Sequence, residues 1–374
     1  MKIKIASNTL RTALQVASKH QPSKYLLAIH ALARLEAESD RLTITTVSPD
    51  IYYRTTVEAT CDGNFTVYAS AIMVQGIQLL PDSEVELTFE DESNLCTISY
   101  PNGNLTLPTG SYPDVERDFP VEPLLQETDL ITYTWPAERL ATVSANAIRF
   151  VSSDKMRAQL NSVYFIFEKD YMDVFASNGH SMLRHRFLDS CQPVWFALSD
   201  ESTGYIAYVA KLEGEATLRI GKTWVCFDFG SSRVYAKRSK LDRIPPYDRI
   251  LPEAFAGEAT FDRNELSSCC RRAVAFSFDM SVIQFTFKKG QLVIEAENDQ
   301  TRNSSMEQMR CSYQGPSMKI GINWNQLMVI LKTFTEDEVW MGMNSAQQVM
   351  IFRQAFRKEG DETTFGLMPI LLVD

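Results

Sequence analysis

The chain is short of what most catalysts need. Four histidines serve 374 residues, and none sits in a recognisable constellation. His180 and His185 are five apart, which does not set both on one helix face. His20 and His30 lack an acidic or cysteine companion at ligand spacing. The seven cysteines are scattered, with no Cys-x-x-Cys and only the adjacent Cys269 and Cys270 close together. That fits reduced thiols in a cytosol rather than a disulfide framework. No apolar run approaches the roughly 20 residues of a spanning helix, and the N-terminus has no apolar signal core. A cytoplasmic chain that avoids membranes is expected. An excess of positive charge is missing too: the net charge is −10, which argues against tight nucleic-acid binding by bulk charge alone. Gly221-Lys222-Thr223 hints at a phosphate loop, but Ala216 stands where that pattern needs glycine. The triplet lies between the strand-like runs 217–220 and 224–229, so a hairpin turn is expected there. No catalytic residue, metal site or cofactor emerges.

What the chain does have is internal repetition. A short alternating strand (Ile3, Ile5) runs into a helix with Leu10, Ala13, Leu14 and Ala17 on one face. The pattern returns over 133–147 with Leu140, Val143 and Ala147, and over 259–273 with Leu266, Cys269, Cys270 and Ala273. A later strand begins 32, 32 and 26 positions after the anchoring leucine, at Leu42, Met172 and Leu292. Each of those strands reaches a polar turn six residues on, at Ser48, Asn178 and Asn298. A third landmark, a glutamate opening a late strand, falls at Glu84, Glu215 and Glu338, or 74, 75 and 72 positions after the leucine. Three landmarks in step predict an α+β chain of three tandem domains, at 1–120, 128–246 and 253–374. Each third is close to the commonest domain size.

Within the first repeat, 42–45 and 85–89 alternate as half-buried strands, and 71–80 has helical spacing ended by Pro81-Asp82. Asn102-Gly103 marks a hairpin, and Asn178-Gly179 a tight turn with Gly179 at positive φ. One domain thus reads as a doubled strand–helix–three-strand unit. The proline-bearing segments 113–128 and 245–257 read as extended connectors, each starting beside a tyrosine, Tyr112 or Tyr247.

Charge is unevenly shared. The first helix of each repeat carries Arg11, Lys19, Arg139, Arg149, Arg263, Arg271 and Arg272 against Glu138 and Glu265, a net of +5 that leaves −15 elsewhere. A basic face repeated three times would attract phosphate weakly, with salt sensitivity and no sequence preference.

Several stretches, in order along the whole chain, resemble the bacterial DNA polymerase III β subunits, the sliding clamps. Ser177-Asn178-Gly179-His180-Ser181-Met182 is similar to that family's T-D-G-H-R-L, and Ile244 to Pro252 to its F-P-D-Y-R-R-V-L-P. Leu160-Asn161 matches an L-N pair, and Leu367-Met368-Pro369-Ile370 a terminal V-M-P-M. The resemblance implies a ring of two head-to-tail chains around duplex DNA, tethering the polymerase, with helices lining the hole. It also implies a hydrophobic pocket for short linear peptides of the polymerase, the clamp loader and other replication and repair proteins. By matching position, that pocket would use Leu160, Ser177, Gly179, His180, Met182 and Pro245, completed by Arg249, Ile250, Met368, Pro369 and Ile370. DNA-facing positions would be Arg11, Lys19, Lys24, Arg139, Arg149, Lys155, Arg157, Lys237, Arg271 and Arg272, with Arg238 and Lys240 in the same loops. The dimer interface would involve Leu105, Leu107, Val274 and Phe276. Ser181 departs from the family's usual arginine, and Ala69-Ser70-Ala71 from a basic pair. The alternatives are a repeat-built hydrolase or transferase working through His180, and a β-rich scaffold that does not meet DNA.

Overall fold

The computed structural model describes residues 1–90, 93–112, 114–124, 127–189, 191–275, 282–298, 302–355 and 360–372. One order of elements recurs three times. The first pass runs strand Lys2–Ala6, helix Ser7–Ser18 and strands Ala33–Glu38, Arg41–Val47 and Ile51–Glu58. It continues with strand Phe65–Ala69, helix Ala71–Gln78 and strands Glu84–Glu90, Leu95–Tyr100 and Gly103–Pro108. The second pass is built on helices Ala137–Ala147 and Asp200–Ala210, the third on Arg263–Val274 and Trp324–Thr333. The late strands open at the glutamates the spacing pointed to, with Glu84–Glu90, Glu215–Ile220 and Glu338–Met343.

Compactness divides the chain differently from the repeat, into residues 1–144 with 201–238 and residues 145–200 with 239–374. The first unit holds a five-stranded and an eight-stranded sheet. In the larger one, Ser232–Lys237 of the second pass pairs antiparallel with Ile51–Glu58 of the first. The second unit holds a nine-stranded and a four-stranded sheet. There Ser181–Phe187 of the second pass pairs with Asp361–Leu367 of the third, from Ser181↔Leu367 to Phe187↔Asp361.

Each helix covers a sheet with its apolar stripe. Leu10, Ala13, Leu14 and Ala17 are all buried, as the i, i+3, i+4, i+7 spacing requires, and burying a leucine contributes about 2 kcal/mol. Leu266, Cys269, Cys270 and Ala273 do the same for Arg263–Val274. The paired helices are also clasped by arginine. Arg11 donates to the Leu80 carbonyl (2.7 Å) and to Asp82 (2.9 Å), just beyond the end of Ala71–Gln78. Arg263 donates to the Phe334 carbonyl (2.9 Å) at the end of Trp324–Thr333. A cation at that end satisfies carbonyls the helix leaves unpaired.

Three local expectations are revised or sharpened. The connector after Pro113 is not simply extended: Val115–Asp118 forms one helical turn. Val115 and Phe119, four apart, bury into a cluster with Ile29, Leu32, Tyr52, Tyr68 and Tyr235. The second connector likewise tightens into a 3-10 turn over Tyr247–Ile250 around a buried tyrosine. In the Leu95–Tyr100 hairpin, Tyr100 pairs with Gly103, so the turn is Pro101-Asn102, one residue earlier than Asn102-Gly103. Gly103 sits beneath the Tyr100 ring, where a Cβ would lie 3.0 Å from the phenol oxygen. Gly221-Lys222-Thr223 is a hairpin turn, closed by Gly221 N–H donating to the Trp224 carbonyl (3.0 Å).

Candidate functional site

The second unit brings the residues that the resemblance assigned to a pocket to one end of its nine-stranded sheet. The hairpin of Met172–Ser177 and Ser181–Phe187 ends in a turn tied by its own side chains. Asn178 Oδ1 accepts from the N–H groups of His180 (2.9 Å) and Ser181 (2.8 Å), an Asx turn. Gly179 takes φ +89°. A Cβ there would lie 3.6 Å from Leu160, so the turn rests against that side chain. Ser181 is buried with its hydroxyl 3.0 Å from the Asn178 amide, so the position that departs from arginine is used internally. Asn161 donates to the Ser152 carbonyl (2.7 Å), closing the loop that carries Lys155 and Arg157.

Two further segments meet this turn. Met368 N–H donates to the His180 carbonyl (2.8 Å), and Ile370 N–H to the Gly321 carbonyl (2.8 Å), leading Met368, Pro369 and Ile370 past the hairpin tip. Gly321 permits this: a Cβ there would run into the Ile370 carbonyl and Leu372. Met182 lies over Gly366, where a Cβ would come within 2.7 Å of its side chain. Met182 also shares a core cluster with Tyr164, Phe175 and Tyr247, against which Ile244 and Leu251 pack. Pro245 is half-buried, Arg249 is exposed and Ile250 is 47% exposed, so the connector offers apolar surface beside one cation. This arrangement suits an extended peptide; it does not suit catalysis. The His180 imidazole is exposed with no hydrogen-bond partner among the described residues. Ser177 Oγ is spent on the Ser181 carbonyl (3.0 Å) and the Gly179 N–H (3.1 Å).

Residues 1–119 match the family model described as DNA polymerase III beta subunit, N-terminal domain, and residues 248–368 the one described as its C-terminal domain. The chain belongs to the DNA polymerase III beta subunit family. Among curated members, it is 24% identical over 364 residues to the beta sliding clamp of Treponema pallidum, covering 94% of this chain and 95% of that one. To the beta sliding clamp of Synechocystis it is 22% identical over the whole of both chains. The fold is that of the DNA polymerase III beta subunit from Thermotoga maritima, with TM-score 0.90, 19% identity and full coverage of both chains. It is also that of the sliding clamp from Bartonella birtlesii bound to griselimycin, with TM-score 0.88, 20% identity and full coverage of both.

The basic residues that the family resemblance assigned to DNA fall into two groups. Arg11 is taken up by its helix clasp, Arg272 by Glu307 (2.7 Å) and Arg157 by Asp154 (3.4 Å). Lys19, Lys24, Arg139, Arg149, Lys155 and Arg271 are exposed, and Lys237 is half-buried. Of the interface residues, Leu105, Leu107 and Val274 are half-buried, and Phe276 lies outside the described residues.

Sequence reasoning missed five polar residues beneath the assigned pocket positions. Asp173 is fully buried and bonds to both Arg186 and Tyr247, while Arg184 reaches Asp248. The signal was present. Counting outward from the turn sets Asp173 opposite Arg186 across the hairpin, and opposite charges directly across strands attract.

Proposed function

We propose that this chain is a processivity clamp: it encircles duplex DNA and tethers a replicative polymerase through the pocket described above. What carries the proposal is agreement over the whole length, with family models at both ends and one repeat of elements between them. Three clamp domains, 1–120, 128–246 and 253–374, would give six around a ring of two chains. The subunit is not catalytic; it works by holding.

Two free sheet edges support head-to-tail pairing. Gly103–Pro108 ends the five-stranded sheet and Asn303–Arg310 ends the four-stranded one. Leu79 beside the first is 85% exposed and Met306 on the second 62%. An unpaired edge with apolar side chains is a template for another strand. Leu105, Leu107 and Val274 would then be covered by the partner. The exposed cations Lys24, Arg149 and Arg271 would meet phosphates without reading sequence, in a cytoplasmic protein whose other partners are short linear peptides of the polymerase and clamp loader.

The test combines mass with binding. Sedimentation equilibrium should give twice the chain mass, and Met306→Asp should give the monomer. Removing residues 368–374 should abolish binding of a synthetic peptide with one glutamine and a Leu-Phe pair, while leaving the dimer intact. A monomeric unaltered protein, or peptide binding that survives the truncation, would overturn the assignment.

A further inference from the structure

One polar cluster, centred on a buried carboxylate, lies under the proposed peptide site. Asp173, in the strand Met172–Ser177, has no solvent exposure. Arg186 grips it in a fork, Nε to Oδ1 at 2.8 Å and Nη2 to Oδ2 at 2.6 Å. The third donor comes from the connector: Tyr247 Oη to Asp173 Oδ2, 2.7 Å. The Tyr247 ring stacks on Phe175 with centroids 4.6 Å apart. The neighbouring Asp248 is held by Arg184 at 3.1 Å and lies 3.6 Å from Arg186. Arg184 also reaches Glu362 at 3.3 Å, and the Arg186 guanidinium sits 4.0 Å above the Tyr171 ring.

We propose that Asp173, Arg186 and Tyr247, with the Arg184–Asp248 pair, form a latch that fixes the 244–252 connector as a rigid wall of the peptide groove. The latch sets peptide affinity without touching peptide. The inference rests on the peptide-site assignment above. Its physical ground is the geometry of the turn. Tyr247 is pinned downward into the sheet and Asp248 sideways to two arginines, so the chain on either side has little freedom. Pro245 lies two residues before Tyr247, and Arg249 and Ile250 lie two and three after it. An apolar core would stabilise the fold as well as a buried ion pair does; what the fork adds is direction. A wall already in its bound shape spares the peptide the cost of ordering it.

Latch residues are therefore positioning residues, and they predict a specific kinetic signature. Loosening the connector lowers the fraction of molecules that can accept peptide, and apparent affinity falls by that fraction. The loss then appears in association. Tyr247→Phe keeps the ring stack and removes only the donor. With the full-length protein and the synthetic glutamine–Leu-Phe peptide, affinity should fall about tenfold. Association should slow by the same factor, dissociation should change less than about twofold, and the protein should stay folded, its melting temperature lowered by no more than the loss of one hydrogen bond. Ile250→Ala, which removes a proposed direct contact, should instead speed dissociation. As an independent check, Asp173→Asn should raise hydrogen exchange at the amides of Arg249 and Leu251, which close the connector turn onto Pro246 and Asp248. Exchange in the strand Ser162–Phe167 should not change.

Unchanged affinity in Tyr247→Phe, or a loss carried by dissociation, would overturn the latch while leaving the peptide site standing. Unchanged exchange in Asp173→Asn would also overturn it. Failure of the unaltered protein to bind the peptide would remove the site, and the latch with it.

Discussion

The connector after the first repeat and the connector after the second are tied down by the same three groups in opposite roles. In the first, the connector supplies the carboxylate: Glu122 accepts from Arg54 (2.6 Å) and from Tyr235 of the sheet, with Arg233 at 3.6 Å. In the second, the sheet supplies the carboxylate and the connector the tyrosine, Tyr247 on Asp173, with Arg186 completing the set. Where the charge sits decides how firmly each is bound. The Glu122 side chain is itself nearly buried, but its partners Arg54 and Arg233 are 36% and 40% exposed against 24% for Arg186, so water solvates those arginines more readily. Asp173 lies wholly inside. The second connector should be the more firmly held of the two, and it carries Pro245, Arg249 and Ile250 of the proposed peptide site.

The largest effect that could break this contrast is loss of the inner carboxylate. Asp173→Ala strands Arg186 and the Tyr247 hydroxyl, and should cost about 3–5 kcal/mol in denaturant unfolding. Glu122→Ala should cost only about 1–2 kcal/mol, because its arginines re-solvate. Equal losses would erase the distinction.

Acid sharpens the comparison next. Burial pushes the imidazoles of His20 and His185 down to about 3 and about 4. Between pH 6.5 and those values the unfolded chain binds protons that the folded chain refuses, so stability falls as pH drops through that window. The loss is about 2 kcal/mol per histidine by pH 5. His185→Gln should flatten the thermal-melting profile of the second unit over that range; an unchanged slope would mean this imidazole is protonated in the fold. Glu122 enters lower down. Burial raises its carboxyl, but the Tyr235 and Arg54 donors outweigh that and hold it below the ordinary range. Its contribution is complete above the unfolded value and fades as pH falls through the folded one, loosening the first connector last.

A smaller change tests the other wall. Gly321→Ala has no room beside the Ile370 carbonyl, so the tail must shift at a cost of about 1–3 kcal/mol. Peptide affinity should weaken several-fold in a titration, and unaltered affinity would show that the tail is not part of the site. Smallest of all, Ile250→Ala should leave stability within about 0.5 kcal/mol, since its side chain is half exposed.

The repeat and its core were legible because they are local. Leu10 to Ala17 and Leu266 to Ala273 announce their buried faces by spacing alone, and glutamates open the late strands at the expected places. The proposed pocket could be drawn from the family resemblance only as a set of positions, since its segments lie about 65 to 120 residues apart along the chain. The clasps of Arg11 and Arg263 could not be read from the sequence, because each partner carbonyl lies about 70 residues downstream. The turn at Val115–Asp118 was hidden by its flanking prolines, although Val115 and Phe119 already stood four apart. Asp173 and Tyr247, 74 residues apart, leave no local pattern. Only the Asp173–Arg186 pairing across the hairpin could have been counted from the turn.

Retention on DNA tests the central claim most directly. A dimer loaded on a closed circle should stay bound at salt that strips ordinary phosphate contacts, and should be lost once the circle is cut. Equal loss from closed and cut DNA would mean that the protein holds by contact rather than by encirclement, and would contradict the account.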